Sequence, residues 1–193
     1  HTLKPLRFEQ FWFRLIRKIF PLRQLQLSHK VEKTRQFMWR SPEFMSPKIL
    51  ENNQVCFLNK KAEIGISFDW NNPSFEKLWL YNLHYFDDLN ALDSIKRKDL
   101  QHVYIKRWIS ENPPLMGNGW EPYTLSLRLV NWIKWYQRAG IQDDDILVSI
   151  SEQTEALSKQ LEYHIFGNHL FANAKALVLS LIHISEPTRP LYI

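Results

Sequence analysis

The sequence predicts a mainly α-helical fold with one small β-hairpin. Apolar residues recur at helical spacing in four consecutive stretches after residue 73, which indicates amphipathic helices. The joins between these stretches are short, and helices with short joins pack as antiparallel pairs. Only residues 54–70 show a period of two, which is typical of strands. With 193 residues, 45% of them hydrophobic, the chain is long enough to bury the core of one ordinary domain.

The first 50 residues are predicted to form a basic helix followed by an irregular arm. Residues 6–20 carry apolar side chains at helical spacing, and Pro21 ends the run. Residues 22–48 are polar and contain prolines, so we expect no core element there. Residues 1–40 hold ten Lys or Arg against two Glu, whereas the remaining chain has a net charge of −3. This distribution is typical of a segment that binds an anionic polymer, and equally of a solvated amphipathic helix.

Residues 51–72 are predicted to contain the β-hairpin. The first strand is expected at 54–58 and the second at 63–70, with the Asn-Lys-Lys sequence between them as the turn. In the second strand, small or polar residues alternate with the apolar side chains of Ile64, Ile66, Phe68 and Trp70.

From Pro73 onward the chain is predicted to be a series of helices, each with one apolar face. Breaks are expected at residues 112–119 and 139–145, and Pro122 favours a helix start. The residues that share a face are Trp79, Leu83, Phe86 and Leu89; then Leu100, Tyr104, Ile105, Trp108 and Ile109; then Leu125, Leu129, Trp132, Ile133 and Tyr136; and then Ile150, Thr154, Leu157 and Leu161.

A corner between two helices is predicted at Gly167. A helical run is expected to end in residues 163–166, because Gly commonly follows a helix, and Asn168 is a good N-cap for the next one. Asn168 and His169 would then lie at the positive end of a helix, where free N–H groups attract an anion. The alternative is that Asn168 only caps the helix and His169 only packs or faces water. The expected apolar face of this last helix comprises Leu170, Ala174 and Leu177.

Composition and motif content exclude several classes of protein. No apolar run approaches the roughly 20 residues of a membrane span, and a single cysteine, Cys56, excludes an intrachain disulfide and a cysteine-rich zinc site. The sequence has no Gly-rich phosphate loop, no His-Glu-x-x-His and no Gly-x-Ser-x-Gly motif. Nothing in the spacing of Asp87 and Glu121 supports a glycosidase pair. We expect neither a metal nor a cofactor.

Three strings resemble the N-terminal part of the heparinase II/III-type polysaccharide lyases, a family that includes alginate lyases. They read YNLHYFDDLNAL at 81–92, NPPLMGNGWEPYTLSLRLVNWIKW at 112–135 and GNHLFANAKAL at 167–177. The strings occur in the family's order, and the resemblance covers residues 69–178. It implies that residues 73–178 are the first helix pairs of an α/α toroid, incomplete here, which a β-sandwich would follow in the full protein.

The resemblance implies cleavage of uronic-acid polysaccharides by β-elimination. The proton that leaves lies beside a sugar carboxylate, whose charge must be neutralised first. By resemblance, Asn168 would be the neutralising amide, acting as an oxyanion-hole donor does, and His169 would be the base or a substrate-positioning group. Asn173 is a second candidate amide, although its place inside a helix favours packing. The family's further Tyr and His lie beyond Val178, so we expect this chain alone to be inactive.

Aromatic and polar residues in the first two strings are the candidates for binding an acidic glycan. Sugar rings stack on aromatic faces, and Arg pairs with carboxylates through two hydrogen bonds. A packing role is the alternative for all of them, above all for a histidine on an apolar helix face. The candidates are Tyr81, His84, Tyr85, Trp120, Glu121, Tyr123 and Arg128.

Two further expectations concern the tail and the partner. Residues 179–193 resemble the translation of a sequencing-library adapter, so we expect a non-native tail. The lyase interpretation implies an acidic polysaccharide partner, no nucleic acid, and, by analogy with exported family members, a periplasmic or secreted location. The alternative from another class is a non-catalytic helical module that binds an anionic polymer, glycan or nucleic acid, through its basic arm.

Overall fold

A computed structural model describes residue 43, residues 45–165 and residues 167–184, with side chains as far as Ile182. Four more positions, Trp12, Leu15, Ile16 and Ile19, have helical backbone. The rest of the predicted basic helix and arm lies outside the described residues, so its proposed role stays a prediction. Within the described part, no helix is both long and apolar enough to cross a bilayer.

The described part contains one two-stranded antiparallel sheet and five α-helices, so the prediction of a mainly helical fold with a small hairpin is confirmed. Single 3-10 turns lie at Ser67–Asn71, Asp87–Asn90, Ser94–Arg97 and Asn118–Trp120. The strands and helices are β1 (Gln54–Phe57), β2 (Lys60–Glu63), α1 (Lys77–Tyr85), α2 (Lys98–Glu111), α3 (Pro122–Ala139), α4 (Asp144–Ser158) and α5 (Asn168–Ile184).

The hairpin is tighter than the sequence predicts. Gln54 pairs with Glu63 and Phe57 with Lys60, which leaves a two-residue turn. Both turn residues, Leu58 and Asn59, have positive φ (50° and 61°), as the favoured two-residue hairpin turn requires. The hairpin prediction is therefore right, but its second strand begins earlier than expected.

The predicted strand at 63–70 is wrong. The Asp69 carboxylate accepts the backbone N–H groups of Gly65 and Ile66, each at 3.0 Å, and these bonds favour a 3-10 turn over a strand. Trp70 is buried, whereas Ile66 and Phe68 are exposed. The alternating apolar residues therefore lie in and around a turn, and only some of their side chains reach the core.

Helix α1 has the predicted apolar face but ends sooner. Phe86 adopts a left-handed conformation with φ 57°, and this conformation stops the helix at Tyr85. Phe86 and Leu89 nevertheless remain buried, because the 3-10 turn that follows directs both side chains back into the core. All four residues of the predicted face are buried, but only Trp79 and Leu83 lie on the helix, so its predicted extent is wrong.

Helix α3 is the centre of the helical part and packs against α1, α4 and α5. It begins at Pro122, as predicted, and ends before Gly140, whose φ of 65° provides the usual left-handed cap. The Asp143 carboxylate caps α4 by accepting the N–H of Asp145 at 3.0 Å.

Residues 45–50 are tied to this core by backbone hydrogen bonds and by one buried carboxylate. Asp88, only 1% exposed, accepts the N–H of Ile49 at 2.9 Å, the guanidinium of Arg97 at 2.9 Å and the amide of Gln101 at 2.9 Å. A buried carboxylate is tolerated when its acceptors are filled in this way. The end of the predicted irregular arm is thus anchored by specific hydrogen bonds.

The corner before α5 lies where the sequence predicts it, but its details differ. Helix α4 ends at Ser158 and residues 163–165 form a turn, so the expected helical run is wrong over these three residues; Phe166 lies outside the described residues. Helix α5 begins at Asn168, and the carbonyl of Gly167 accepts the N–H of Phe171 at 3.1 Å. Asn168 is therefore the first helical residue instead of the cap.

Helix α5 continues into the segment that resembles an adapter. It runs to Ile184, and Ser180 within it is buried and donates its hydroxyl to the carbonyl of Ala176 at 2.9 Å. The interpretation of residues 179–193 as non-native stays a prediction.

Candidate functional site

The candidate site lies where the first turns of α3 and α5 meet. The rings of Tyr123 and His169, each the second residue of its helix, have centroids 4.2 Å apart with an interplanar angle of 33°. One turn further along, the amide of Asn173 donates to the hydroxyl of Ser126 at 2.9 Å. Because both contacts advance in the same direction, α3 and α5 run parallel, with their positive ends side by side.

A polar network holds His169 in place. Its Nδ1 lies 3.2 Å from the Oε2 of Glu162, a residue in the connection before α5. Asn173 contacts the same residue twice: its Oδ1 accepts the backbone N–H of Glu162 at 2.8 Å, and its Nδ2 donates to the carboxylate at 3.3 Å. Asn173 is fully buried, so it is a structural amide here.

A second network lies at the start of α3. The hydroxyl of Tyr81 donates to one oxygen of the Glu121 carboxylate, and the ammonium of Lys77 lies 2.9 Å from the other. Burial, followed by the hydrogen bond to Glu121, raises the pKa of Tyr81. The pKa of Lys77 is also raised, first by its hydrogen bond to Tyr81 and then by Glu121. Tyr81 therefore remains a neutral hydroxyl well above neutral pH.

Four rings connect the two networks and form what we call the aromatic row: Tyr81, Tyr85, Tyr123 and His169. Successive ring centroids are 6.5, 6.2 and 4.2 Å apart. Tyr85 is the most buried of the four, and burial raises its pKa. The row runs from α1 across the start of α3 to the start of α5, so it brings together five of the predicted site residues when Glu121 is included.

His84 lies inside the core. Its Nδ1 accepts the indole N–H of Trp108 at 2.9 Å, and its Nε2 donates to the carbonyl of Trp70 at 2.9 Å. Complete burial, together with the charge of Arg128, lowers the pKa of His84 to about 3. The imidazole is therefore neutral at ordinary pH and has one fixed tautomer.

Arg128 and Trp120 are core residues as well. The Arg128 guanidinium lies 3.8 Å from the centre of the Trp108 ring and donates to the side chain of Gln153 at 2.8 Å. Full burial lowers its pKa from the usual value. The Trp120 indole donates to the Asn112 carbonyl at 3.3 Å. For His84, Trp120 and Arg128 the described structure gives packing roles, and a substrate role stays a prediction.

Asn168 and His169 are the predicted catalytic pair, and they differ in surroundings. Asn168 is exposed at the first position of α5, whereas His169 is half-buried between the Tyr123 ring and Glu162. An exposed amide, an imidazole with a carboxylate partner and two helix N-termini together suit an anionic ligand. They also provide a donor and a proton acceptor within one surface.

The sequence interpretation missed Glu162 and Lys77. Glu162 lies in a connection with no periodic pattern, so nothing in the sequence alone relates it to His169. Asn173, by contrast, shares the predicted apolar face with Leu170 and Leu177, and a polar residue on such a face indicates a buried hydrogen-bonding role.

Two other features of the described part do not belong to this site. A surface pocket of about 490 Å³ is lined by none of the predicted site residues. Across the described ranges, no group of three or more His, Cys, Asp or Glu side chains could hold a metal ion. The lining residues of the pocket are Pro47, Ile49, Leu50, Glu51, Lys96, Arg97, Asp99 and Leu100.

Comparison of the chain with protein-family models, with curated proteins and with solved structures found no match.

Proposed function

We propose that this chain is the N-terminal part of a polysaccharide lyase that cleaves uronic-acid glycans by β-elimination. The observation that carries the proposal is the pairing at the start of α5: an exposed amide, Asn168, lies next to His169, whose Nδ1 has a carboxylate partner. β-Elimination beside a carboxylate needs both a donor for that carboxylate and a base.

The packing of the helices supports an incomplete α/α toroid. Helices α3 and α5 run parallel and contact each other directly, and α4, which lies between them in the sequence, packs against both. Arg128, early in α3, contacts Gln153 in the second half of α4, whereas Tyr136 near the end of α3 contacts the start of α4 at Asp143. Contacts that advance in opposite directions make α3 and α4 antiparallel, which is the arrangement of a repeated helix pair.

In the proposed reaction, the Asn168 amide donates to the carboxylate of the bound uronate and stabilises the charge that develops there. His169 accepts the neighbouring proton at Nε2 or positions the sugar for a base supplied by the rest of the protein. The aromatic row provides faces on which a sugar ring can stack. Complete catalysis is proposed to require a Tyr and a His from the full protein.

No described contact favours the alternative of an anionic-polymer module, because its basic arm lies outside the described residues. The two functions differ in where the binding energy resides. Binding by a charged arm falls steeply with salt and depends little on single polar residues, whereas cleft binding depends on Asn168 and His169.

The test uses the full reading frame, recovered by re-sequencing the source DNA beyond the codon for Val178. The expressed protein is incubated with several uronic-acid polymers, and ultraviolet absorbance detects the unsaturated product. We expect product from the wild type and a loss of at least about 100-fold in Asn168→Ala.

The matched controls use residues of the same kind outside the site. His102 also pairs with a carboxylate, Asp143 at 2.8 Å, and Gln142 is an exposed amide. We expect His102→Ala and Gln142→Ala to retain product formation, while His169→Ala loses it. Full activity in Asn168→Ala and His169→Ala, or glycan binding without product in the wild type, would contradict the lyase proposal.

A further inference from the structure

We propose that Glu162 is a positioning residue for His169, and that Asn173 holds Glu162 in that place. The inference rests on the proposed function, because it assigns the partner of the histidine in the proposed site. It concerns two residues that the sequence did not assign to this role.

In the neutral ring of His169, the hydrogen lies on Nδ1. The Nδ1 of His169 lies 3.2 Å from Glu162 Oε2, and the Glu162 side chain is only 7% exposed. An ionised carboxylate can only accept, so Nδ1 donates to it. In the neutral ring, Nε2 then has the free lone pair and is the nitrogen that can take a proton.

Asn173 holds Glu162 in place. The Asn173 Oδ1 accepts the backbone N–H of Glu162 at 2.8 Å, so the oxygen side of this amide is committed. Its Nδ2 donates to Glu162 Oε2 at 3.3 Å and to the Ser126 hydroxyl at 2.9 Å. Ser126 in turn donates to the Pro122 carbonyl at 2.8 Å. Since the Ser126 hydroxyl is committed as a donor, it must accept from Asn173, which fixes the orientation of the amide.

Tyr123 and Glu162 together restrict the orientation of the His169 ring. Tyr123 lies against one face of the His169 imidazole, with 4.2 Å between centroids. The contact with Tyr123 restricts tilting of the imidazole plane. The hydrogen bond to Glu162 restricts rotation of the imidazole about its Cβ–Cγ bond. Because the side chain of His169 is about one-third exposed, solvent or a ligand has access to the remaining part of the ring.

The proposed step transfers one proton to His169 and releases the glycosidic oxygen. The proton on the sugar carbon beside the carboxylate moves to Nε2 of His169, and the electron pair of that C–H bond forms a carbon–carbon double bond. The bond from the next carbon to the glycosidic oxygen breaks, and that oxygen receives a proton from an acid of the full protein or from water. Glu162 stays ionised and stabilises the imidazolium.

The first experiment measures the tautomer of His169 in the 193-residue chain by ¹H–¹⁵N NMR of the imidazole nitrogens. We expect the Nδ1–H tautomer in the wild type, a smaller share of it in Glu162→Gln, and mainly the Nε2–H form in Glu162→Ala. Both variants keep the backbone N–H that bonds to Asn173. His102, which contacts its carboxylate through Nε2, is the internal control and should not change.

The second experiment measures kinetics in the full reading frame. We expect Glu162→Gln to lower kcat by about 10- to 100-fold, the size of the loss when a metal-binding histidine loses the partner of its other ring nitrogen, with KM changed by less than about threefold. We expect Asn173→Ala to lower kcat in the same direction. Glu155→Gln, which removes a surface partner of Lys159, should leave kcat and KM unchanged.

The outcomes separate the two proposals. An unchanged His169 tautomer in Glu162→Ala, or an unchanged kcat in Glu162→Gln within an active enzyme, would overturn the role of Glu162 and leave the lyase proposal intact. A tautomer that changes as expected in a full protein that makes no unsaturated product would overturn the lyase proposal and leave the positioning contact intact.

Discussion

Mild acid should destabilise this fold through His84. The imidazole is fully buried, and both nitrogens are committed: one accepts the Trp108 indole N–H and the other donates to the Trp70 carbonyl. Protonation would place a second N–H against the Trp108 donor and bury a charge close to Arg128. These causes lower the pKa of His84 from 6.5 to about 3.

The size of the effect follows from the difference between the two pKa values. A group whose pKa is lower in the folded state binds fewer protons there, so stability falls as the pH drops below the unfolded pKa. Each pH unit in that window corresponds to about 1.4 kcal/mol. Between neutral pH and about pH 5, His84 alone should therefore reduce the free energy of unfolding by about 2 kcal/mol.

Urea unfolding of the wild type and of His84→Gln at about pH 8 and about pH 5 measures this difference. The glutamine amide can accept from Trp108 and donate to Trp70 but does not titrate, so the variant should lose about 2 kcal/mol less than the wild type on acidification. Carboxylates contribute equally to both proteins and cancel in the comparison. The same acid sensitivity in both proteins would refute the assignment of a neutral buried His84.

Three further predictions concern packing and surface. Gly119→Ala should lower the free energy of unfolding in urea by about 1–3 kcal/mol, because the added Cβ would lie 2.8 Å from His84 Nδ1. The control Gly140→Ala has a φ of 65° but no atom within 4 Å of the added Cβ, so it should lower that free energy by about 1 kcal/mol. Equal losses in the two variants would count against the close contact at Gly119. Asp88→Ala should cost about 3 kcal/mol and increase proteolysis before Ile49, since four buried or half-buried donors lose their acceptor; unchanged proteolysis would contradict the anchoring role. The side chains of Phe171 (71% exposed) and Val178 (54% exposed) on α5 should cause self-association, because both are apolar. Size-exclusion chromatography should show less self-association in Phe171→Ser and in Val178→Ser than in the wild type. A strictly monomeric wild type would contradict this prediction.

The apolar faces of the helices could be predicted from the sequence because helical spacing directly determines which side chains lie together. Their boundaries could not, because local contacts decide them. Phe86 ends α1 through a left-handed conformation that packing imposes, and Asp69 forms a turn where alternation suggests a strand. Neither effect has a periodic signal.

Part of the candidate site could likewise be predicted from the sequence, and part could not. The Asn168–His169 pair could be recognised from the corner around Gly167, and the structure adds the Tyr123 ring beside it. The burial of His84 was indicated only as an alternative, by its place on an apolar helix face, and the complete burial of Arg128 was not indicated. Glu162 could not be found, since its contact with His169 spans an irregular connection.

The mass of the product made by the full reading frame distinguishes β-elimination from hydrolysis. β-Elimination gives an unsaturated uronate fragment that is lighter by one water than the product of hydrolysis, and mass spectrometry distinguishes them. We expect the unsaturated mass from the wild type and no product from His169→Ala. The saturated mass, or no cleavage of any uronic-acid polymer by the wild type, would contradict it.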